Sequence, residues 1–505
     1  GSLSAVSAGL IQLQDVLAGS DIALAGERGI VITRSLTSSS GTIELRASAG
    51  DISVVDAASS RNFIANASGL IRSTGSIIAG GSISIAGGQL DLASLQGAGI
   101  NLVADAGDIS VLRGTSSANF AASASGAFST PSRLTAGAKL AISAASVSLT
   151  DIDAASVDIS SGGFIRFGEI MATGPVLLDA GGMIAGTMIK ADQQIQLNGV
   201  SGIDMGSIFS TQGGVDLTAS AGAIHVATDI ASGGIVNLSA RAIDLTATGD
   251  LAIGDARATN GDILLKLSGL LSVTGASASG SIGIDANGLN AGLLDAGGDV
   301  ELATGAGLLK VDELAAGGTF TASGNAVLIG NADAAGDIRL MAGGLTAGSL
   351  NSGANVTVIS DGDSAIGTAM AANMLALSSN GGSVFTGRLS AGDIAIEAFR
   401  DANLSDGSIA ARSLRVRAGG TARFLGAHVA PLIDISSGDI VIDDAAPVGG
   451  RGIPGRLGQS GITHSIRLTN SDSSRRTFIG GDDTAQDRKS TRLNSSHTDI
   501  SRMPS

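Results

Sequence analysis

The stretch Gly50-Asp51-Ile52-Ser53-Val54 recurs along this chain, and its spacing decides the fold. Variants with the same Gly-Asp-aliphatic start occur at Gly107–Val111, Gly261–Leu265, Gly298–Leu302, Gly336–Leu340, Gly392–Ile396 and Gly438–Ile442. The aspartates of successive motifs are 57, 154, 37, 38, 56 and 46 residues apart, and all gaps but the last lie close to whole multiples of 19. A fixed period of this size is typical of a solenoid, in which each repeat is one coil stacked on the previous one. The sequence therefore predicts an all-β solenoid with coils of about 19 residues.

Aliphatic residues stand two apart within each motif, with one variable residue between them. In a strand this spacing places both aliphatic side chains on one face and the residue between them on the other. We therefore expect the pairs Ile52/Val54, Ile109/Val111, Ile338/Leu340 and Ile394/Ile396 to point inward. The backbone N–H and C=O groups of such short strands are best satisfied by parallel pairing. The partner is the equivalent strand one coil away, about 4.8 Å along the axis. The glycine and aspartate of each motif fit a corner, where aspartate can accept hydrogen bonds from backbone N–H groups.

Composition excludes several classes of protein. The 505 residues include 75 glycines but only 6 prolines, and 44% are hydrophobic, which fits neither a disordered chain nor collagen. Strong helix formers such as glutamate and lysine are scarce, so helices are not expected. The net charge of −15 and the lack of a basic stripe argue against nucleic acid as a partner. No run of 18 apolar residues occurs, so we expect no transmembrane segment.

Changes in composition and repeat pattern along the chain predict three segments. Residues 1–445 read as the repeat shaft, and the absence of an initiating methionine or a signal segment leads us to expect that an N-terminal part of the full protein is missing. Residues 446–488, with Pro447, Pro454 and clustered arginines, read as a capping or linking segment. Residues 489–505 fit nothing before them and resemble translated adapter sequence, which predicts a non-native tail.

Residues that could carry chemistry are few and scattered. His225 is expected to face solvent, opposite an inward Ile224, and none of the four histidines has a second histidine at metal-binding spacing. Asp151, Asp153 and the nearby Asp158 could give an adventitious, weak Ca²⁺ site, as could Asp361 and Asp363 in a turn, although the repeated Ca²⁺-roll pattern is absent.

A glycine loop at 450–455 matches G-x-G-x-x-G formally, but Pro454 argues for a linker rather than the helix start that a nucleotide site needs. The sequence therefore predicts no catalytic residue, no cofactor-binding residue, no metal ligand and no cofactor.

The 19-residue, Gly/Asp-punctuated, cysteine-free repeats resemble the shaft of filamentous haemagglutinin-like exoproteins of two-partner secretion systems. That resemblance implies a right-handed parallel β-helix, export through an outer-membrane transporter, and a place outside the cell or on its surface. It also implies a monomeric, non-catalytic rod that makes contact with host or neighbouring cells. Autotransporter passengers share the pattern, and the Asn-Pro motifs of the family's secretion domain are absent here, which leaves the secretion route open. The lack of cysteine fits transit through an oxidising periplasm. The alternative is a β-helix carbohydrate-active enzyme, a polysaccharide lyase or hydrolase, which needs loops inserted on one face.

Overall fold

Strands joined by short turns form the whole of the described structure. The computed structural model describes residues 1–442, 456–457, 465–470, 477–479 and 498–500, and none of them lies in a helix. The chain divides into two compact units, Gly1–Arg257 and Ala258–Ser505. Within each unit the strands pair in parallel to form a β-solenoid, as the repeat period predicts.

The strands that begin in the first unit are β1 (Leu3–Ser7), β2 (Leu10–Ala18), β3 (Ile22–Gly26), β4 (Gly29–Ser38), β5 (Ile43–Ala47), β6 (Asp51–Ser59), β7 (Phe63–Ala67), β8 (Leu70–Ala79), β9 (Ser82–Gly87), β10 (Gln89–Gly97), β11 (Gly99–Ala104), β12 (Ile109–Ser116), β13 (Phe120–Ala124), β14 (Ala127–Thr130), β15 (Leu134–Ala144), β16 (Ser146–Leu149), β17 (Asp151–Ser161), β18 (Ile165–Ala172), β19 (Val176–Ala180), β20 (Met183–Ala191), β21 (Ile195–Gly199), β22 (Gly202–Ser210), β23 (Val215–Thr218), β24 (Ala223–Ser232), β25 (Val236–Ala240), β26 (Ala242–Ala247) and β27 (Leu251–Ala258).

The strands of the second unit are β28 (Ile263–Leu267), β29 (Leu270–Ala278), β30 (Ile282–Ala286), β31 (Gly288–Ala296), β32 (Val300–Thr304), β33 (Leu308–Ala316), β34 (Phe320–Ala334), β35 (Ile338–Ser352), β36 (Val356–Ser360), β37 (Ser364–Ala371), β38 (Met374–Ser379), β39 (Val384–Ala398), β40 (Ala402–Leu404), β41 (Ser408–Phe424), β42 (Ala427–Val429), β43 (Leu432–Ile442), β44 (Arg456–Leu457), β45 (Ser465–Asn470), β46 (Thr477–Ile479) and β47 (Thr498–Ile500).

Each coil has three faces, which the coil that begins at Asp51 illustrates. Strand β6 buries Ile52 and Val54 on a first face, and after a register irregularity it continues onto a second face. Strand β7 then forms a third face, on which Phe63 and Ala65 are buried. A β-bulge bends a strand at the extra residue, so one strand can serve two faces. We use the terms first, second and third face for the equivalent positions in every coil of the first unit. In the second unit the same terms are defined on the coil of β31 and β32, where Leu289 lies on the first face, Leu294 on the second and Val300 on the third.

The pairing register gives the coil length directly. On the first face, Ile52 pairs with Ile71, Ile71 with Leu90 and Leu90 with Ile109, which sets the ~19-residue coil spacing. Coil length nevertheless varies. On the third face, the coil that joins Ile83 to its partner Ile100 is shorter, whereas the coil that joins Ile22 to Ile43 is longer. The turns absorb this variation without disturbing the alternation of buried and exposed residues within the strands.

The interior of the solenoid consists of stacked aliphatic side chains. All four pairs expected to point inward are buried, and Ile52, Ile109, Ile338 and Ile396 are completely inaccessible to solvent. Each fully buried side chain of this size contributes about 1.5–3 kcal/mol relative to exposure. Aromatic rings supplement the stacks, as where Phe120 meets Phe128 edge to face at 6.4 Å between ring centroids. The predicted alternation is therefore confirmed at the motifs that suggested it.

The motif aspartates hold neighbouring coils together. The Leu70 N–H donates to Asp51 Oδ1 at 2.8 Å, and the Ala127 N–H donates to Asp108 Oδ1 at 2.7 Å. In both cases the acceptor lies 19 residues before the donor. The carboxylate thus satisfies a backbone donor one coil later rather than in its own turn, so it acts as a clip between adjacent corners.

Within the second unit the motifs do not all occupy the same corner. Three motif aspartates, Asp299, Asp337 and Asp393, precede residues of one row of paired strands on the third face, Val300, Ile338 and Ile394. Asp439 instead precedes the first face, because Ile440 pairs with Ala422 there. This change of corner after Asp393 explains why the last gap of 46 residues is not a multiple of 19.

Past Ile442 only short strands are described. Strands β45 and β46 both pair in parallel with β43, and β47 pairs antiparallel with β45. Most of the predicted capping segment 446–488, and most of the predicted tail 489–505, lies outside the described residues. Among the residues that are described, no helix is long and apolar enough to cross a membrane.

Candidate functional site

The carboxylates on β17 are separate surface groups. Asp151, Asp153 and Asp158 all leave the strand on its outward side. Asp158 pairs with Lys139 Nζ at 2.6 Å, and Asp151 lies 3.7 Å from the guanidinium of Arg133. Asp158 and Asp151 therefore each interact with a different basic residue. Within the described part of the chain, no three His, Asp, Glu or Cys side chains gather as metal ligands would.

Asp361 and Asp363 lie in the turn before β37, and both reach the following coil. The Ser383 N–H donates to Asp363 Oδ1 at 2.8 Å, which repeats the clip of the Gly-Asp motifs. The Asn380 Nδ2 donates to Asp361 Oδ1 at 3.2 Å. Both aspartates therefore accept hydrogen bonds from the next coil.

His225 faces outward, as its sequence context predicts. Ile224 beside it is completely buried, and 47% of the His225 side chain is exposed. Its Nδ1 lies 3.4 Å from Asp244 Oδ2, on the equivalent strand of the next coil. The pair is a solvated contact on the first face. The glycine loop at 450–455 and the histidines 464 and 497 lie outside the described residues.

His428 is the feature that sequence analysis missed. Its side chain points into the second face of the solenoid and has no exposed surface. The ring Nε2 lies 2.9 Å from the carbonyl oxygen of Leu425, and Nδ1 lies 3.0 Å from Ser408 Oγ. A carbonyl oxygen can only accept, so Nε2 carries the proton and Nδ1 accepts from the serine hydroxyl. The neutral ring is thereby fully hydrogen-bonded inside the core.

The surroundings of His428 favour its neutral form. Burial lowers the pKa of this imidazole to about 4, and the hydrogen bond to the Leu425 carbonyl opposes that effect only in part. The ring also meets Phe424 edge to face, at 5.2 Å between centroids. The Arg423 side chain is exposed, on the outward side of the strand that carries Phe424. A histidine held neutral and away from solvent serves packing, because no substrate can reach either nitrogen.

Only the pairing register with the preceding coil could have identified His428 as an inward residue. His428 pairs with Ser408, 20 residues earlier, and both occupy an inward position. Gly426, with a φ of 80°, turns the chain just before this strand. Local alternation alone does not reveal the phase that follows such a turn, because the turn resets which residues point inward.

A row of small polar side chains lies on the third face of the first unit. One such residue from each of seven successive coils lines up in register and points outward: Ser123, Ser143, Ser160, Asp179, Asn198, Thr218 and Ser239. We call this row the polar ladder. Parallel strands set its rungs about 4.8 Å apart. The row therefore offers hydrogen-bonding groups at a constant spacing along the solenoid axis.

Two shallow grooves mark the surface of the same unit. One, of about 330 Å³, lies against the polar ladder and is lined by Ser143, Ser160 and Asp179. The other, of about 630 Å³, lies on the second face, where Met171, Lys190 and Phe209 project from successive coils. Both are open to solvent, which suits contact along an extended partner better than enclosure of a small molecule.

Comparison with known proteins gives no relative: the chain matches no protein-family model, no curated protein and no solved structure. The parallel β-solenoid is the class of fold to which the geometry assigns it.

Proposed function

We propose that this chain is the shaft of a secreted or surface-anchored bacterial exoprotein of the filamentous haemagglutinin-like kind, and that it provides reach and contact without catalysis. One observation carries this proposal. Between Leu3 and Ile442 the longest connections between consecutive strands have only four residues, as at 39–42 and 380–383. Such a surface consists of strand faces and tight corners.

Short connections favour a shaft over a carbohydrate-active enzyme. A β-helix lyase or hydrolase needs a cleft walled by inserted loops, and connections of four residues cannot build such walls. The acidic candidates point the same way, because Asp158 is paired with a lysine and Asp363 with a backbone N–H. Paired carboxylates of this kind are ordinary surface and corner groups.

The strand faces supply the surface for contact. The polar ladder presents hydroxyl, amide and carboxylate groups in a straight row, which suits hydrogen bonding to an extended glycan or peptide. The groove on the second face adds apolar area from Met171 and Phe209. An adhesive shaft gains affinity by repeating weak contacts of this kind along its length.

The coil architecture also supports export through an outer-membrane transporter. Each coil pairs with its neighbours, so a coil that has emerged and folded offers its strand edges as a template for the next. Folding outside the cell would then oppose backward movement of the chain. The absence of cysteine removes any risk of premature disulfide formation on the way.

Surface proteolysis tests this proposal. Intact cells carrying the full-length gene, with and without its outer-membrane transporter, are treated with protease, and the shaft is detected by antibody. We expect cleavage only when the transporter is present. Protection in its presence, together with cytosolic fractionation, would reject an exoprotein.

Polysaccharide assays test the absence of catalysis separately. Purified protein should not turn over pectin, alginate or related acidic polymers. Turnover that disappears on changing Asp151 and Asp153, or Asp361 and Asp363, would favour the lyase or hydrolase instead.

A further inference from the structure

Asn-Gly pairs are sites at which the backbone of this chain can react with a side chain. They occur at Asn198, Asn260, Asn287 and Asn380. In such a pair the glycine backbone nitrogen can attack the asparagine Cγ. A C–N bond forms, ammonia leaves, and a five-membered succinimide results. Water then opens the ring at either carbonyl, which gives aspartate or isoaspartate.

The fold protects one of these pairs. Asn198 lies within β21, between Asp179 of the preceding coil and Thr218 of the following coil. A strand paired on both sides keeps the backbone extended, and ring closure requires a different backbone conformation. The strand has to open locally before Asn198 can react, so its rate is limited by that opening.

Asn380 is in the opposite situation. It lies in the exposed bend between β38 and β39, outside any strand. The Asn380 N–H donates to the Ser360 carbonyl at 2.8 Å, and the Gly382 N–H donates to Ser379 Oγ at 3.0 Å. Within the described part of the chain, the intervening Gly381 N–H has no hydrogen-bond acceptor. The attacking nitrogen is therefore free while the residues around it are held.

We propose that Asn380 is a site of spontaneous deamidation in the folded protein, with water as the co-reactant. The reaction changes a contact between coils. The Asn380 side-chain amide donates to Asp361 Oδ1 at 3.2 Å, and deamidation replaces this donor by a second carboxylate. Two like charges then face each other at the corner that leads from the third face to the first. Isoaspartate would also lengthen the backbone there by one methylene.

Peptide mapping of aged protein tests the proposal, with Asn198 as an internal control of the same dipeptide. Protein is incubated folded, and in parallel in denaturant, at mildly alkaline pH. Trypsin then releases 340–388, which carries Asn380, and 191–241, which carries Asn198. Mass spectrometry follows deamidation, and isoaspartate methyltransferase labelling identifies the β-linked product.

We expect Asn380 to react at least about ten-fold faster than Asn198 in the folded protein, because Asn198 must first be exposed by local opening. In denaturant the two rates should converge. The variant Asn380→Gln should abolish the folded-state signal from 340–388, which assigns it to this residue and not to the other asparagines of the peptide. Equal rates in the folded protein, or a signal that survives Asn380→Gln, would overturn the proposal.

Discussion

Two regions of the interior in the second unit use the same strand pairing but different chemistry. Around Ile338, the third-face residues Phe320, Ile338 and Val356 of three successive coils are all apolar and completely buried. On the second face, Leu389, Ser408 and His428 follow one another in register, so an apolar row becomes polar. Both rows are closed to solvent.

The difference shows what the solenoid requires of an inward position. Parallel pairing satisfies the backbone hydrogen bonds of the paired strands, so an inward side chain has mainly to avoid leaving a polar group unpaired. The Ile338 side chain has no polar atom to pair, whereas Ser408 and His428 form a hydrogen bond with each other. The apolar row should tolerate changes of pH but no charge. The polar row should remain stable only while the imidazole of His428 is neutral.

The largest effect is expected from disturbing coil register. Ile338 pairs with Val356, so deleting 338–355 removes one whole coil and brings Val356 opposite Phe320. Deleting only 338–346 would bring residues of the first face into that place, and the inward stacks would no longer align. We expect the whole-coil variant to remain soluble and rich in β structure by circular dichroism, and the half-coil variant to lose the fold. Equal tolerance of both deletions would contradict stacked coils.

A charge inside the apolar row should be nearly as damaging. Ile338→Asp buries a carboxylate without a partner, which should cost about 4 kcal/mol. Denaturant unfolding monitored by circular dichroism would measure the loss.

Arg339→Ser provides the matched control at the next residue. The Arg339 guanidinium donates to Asp337 Oδ2 at 2.6 Å, but its side chain is 60% exposed, so this change should cost about 0.5 kcal/mol or less. An effect of Arg339→Ser as large as that of Ile338→Asp would mean that the inward and outward assignments are wrong.

Acid should act selectively on the polar row. The pKa of His428 is lowered from 6.5 to about 4 in the folded protein, so the unfolded chain takes up the proton first as pH falls. The stabilisation is complete above pH 6.5 and is lost progressively down to about pH 4, a change of about 3 kcal/mol over this range.

The comparison with His428→Gln isolates this effect from the titration of the many carboxylates. Glutamine is neutral at every relevant pH and keeps both a donor and an acceptor. The difference in unfolding free energy between wild type and His428→Gln should therefore shrink or reverse as pH falls. A difference that does not depend on pH would show that His428 is not held neutral by its surroundings.

The smallest effect concerns a corner clip. Asp108→Ala removes the acceptor of the Ala127 N–H in the next coil and should cost about 1 kcal/mol, because the contact is exposed. Asp105→Ala is the control, since that exposed side chain makes no hydrogen bond within the described part of the chain. Thermal unfolding of the two variants should differ, and equal midpoints would mean that the clip adds no stability.

Much of the architecture could be predicted from the sequence because it depends on local properties. Alternation with a period of two residues identifies inward positions such as Ile338 and Ile52 without knowledge of their neighbours. The repeated Gly-Asp dipeptide likewise identifies corners. The polar ladder was less predictable. Its residues are common ones, and whether they align depends on the length of every coil that separates them.

The sequence by itself determined that this chain is a parallel β-solenoid with a ~19-residue coil spacing, an aliphatic interior and an acidic exterior. Only the tertiary structure decided that each coil has three faces, that Asp51 and Asp108 clip the following coil, and that Ser408 and His428 meet in the core. The physical reason is that strand alternation is set between near neighbours in the chain, whereas contacts between coils depend on the register accumulated over a whole coil of variable length. A bulge or a glycine turn changes that register, and only the folded chain reveals where the change falls.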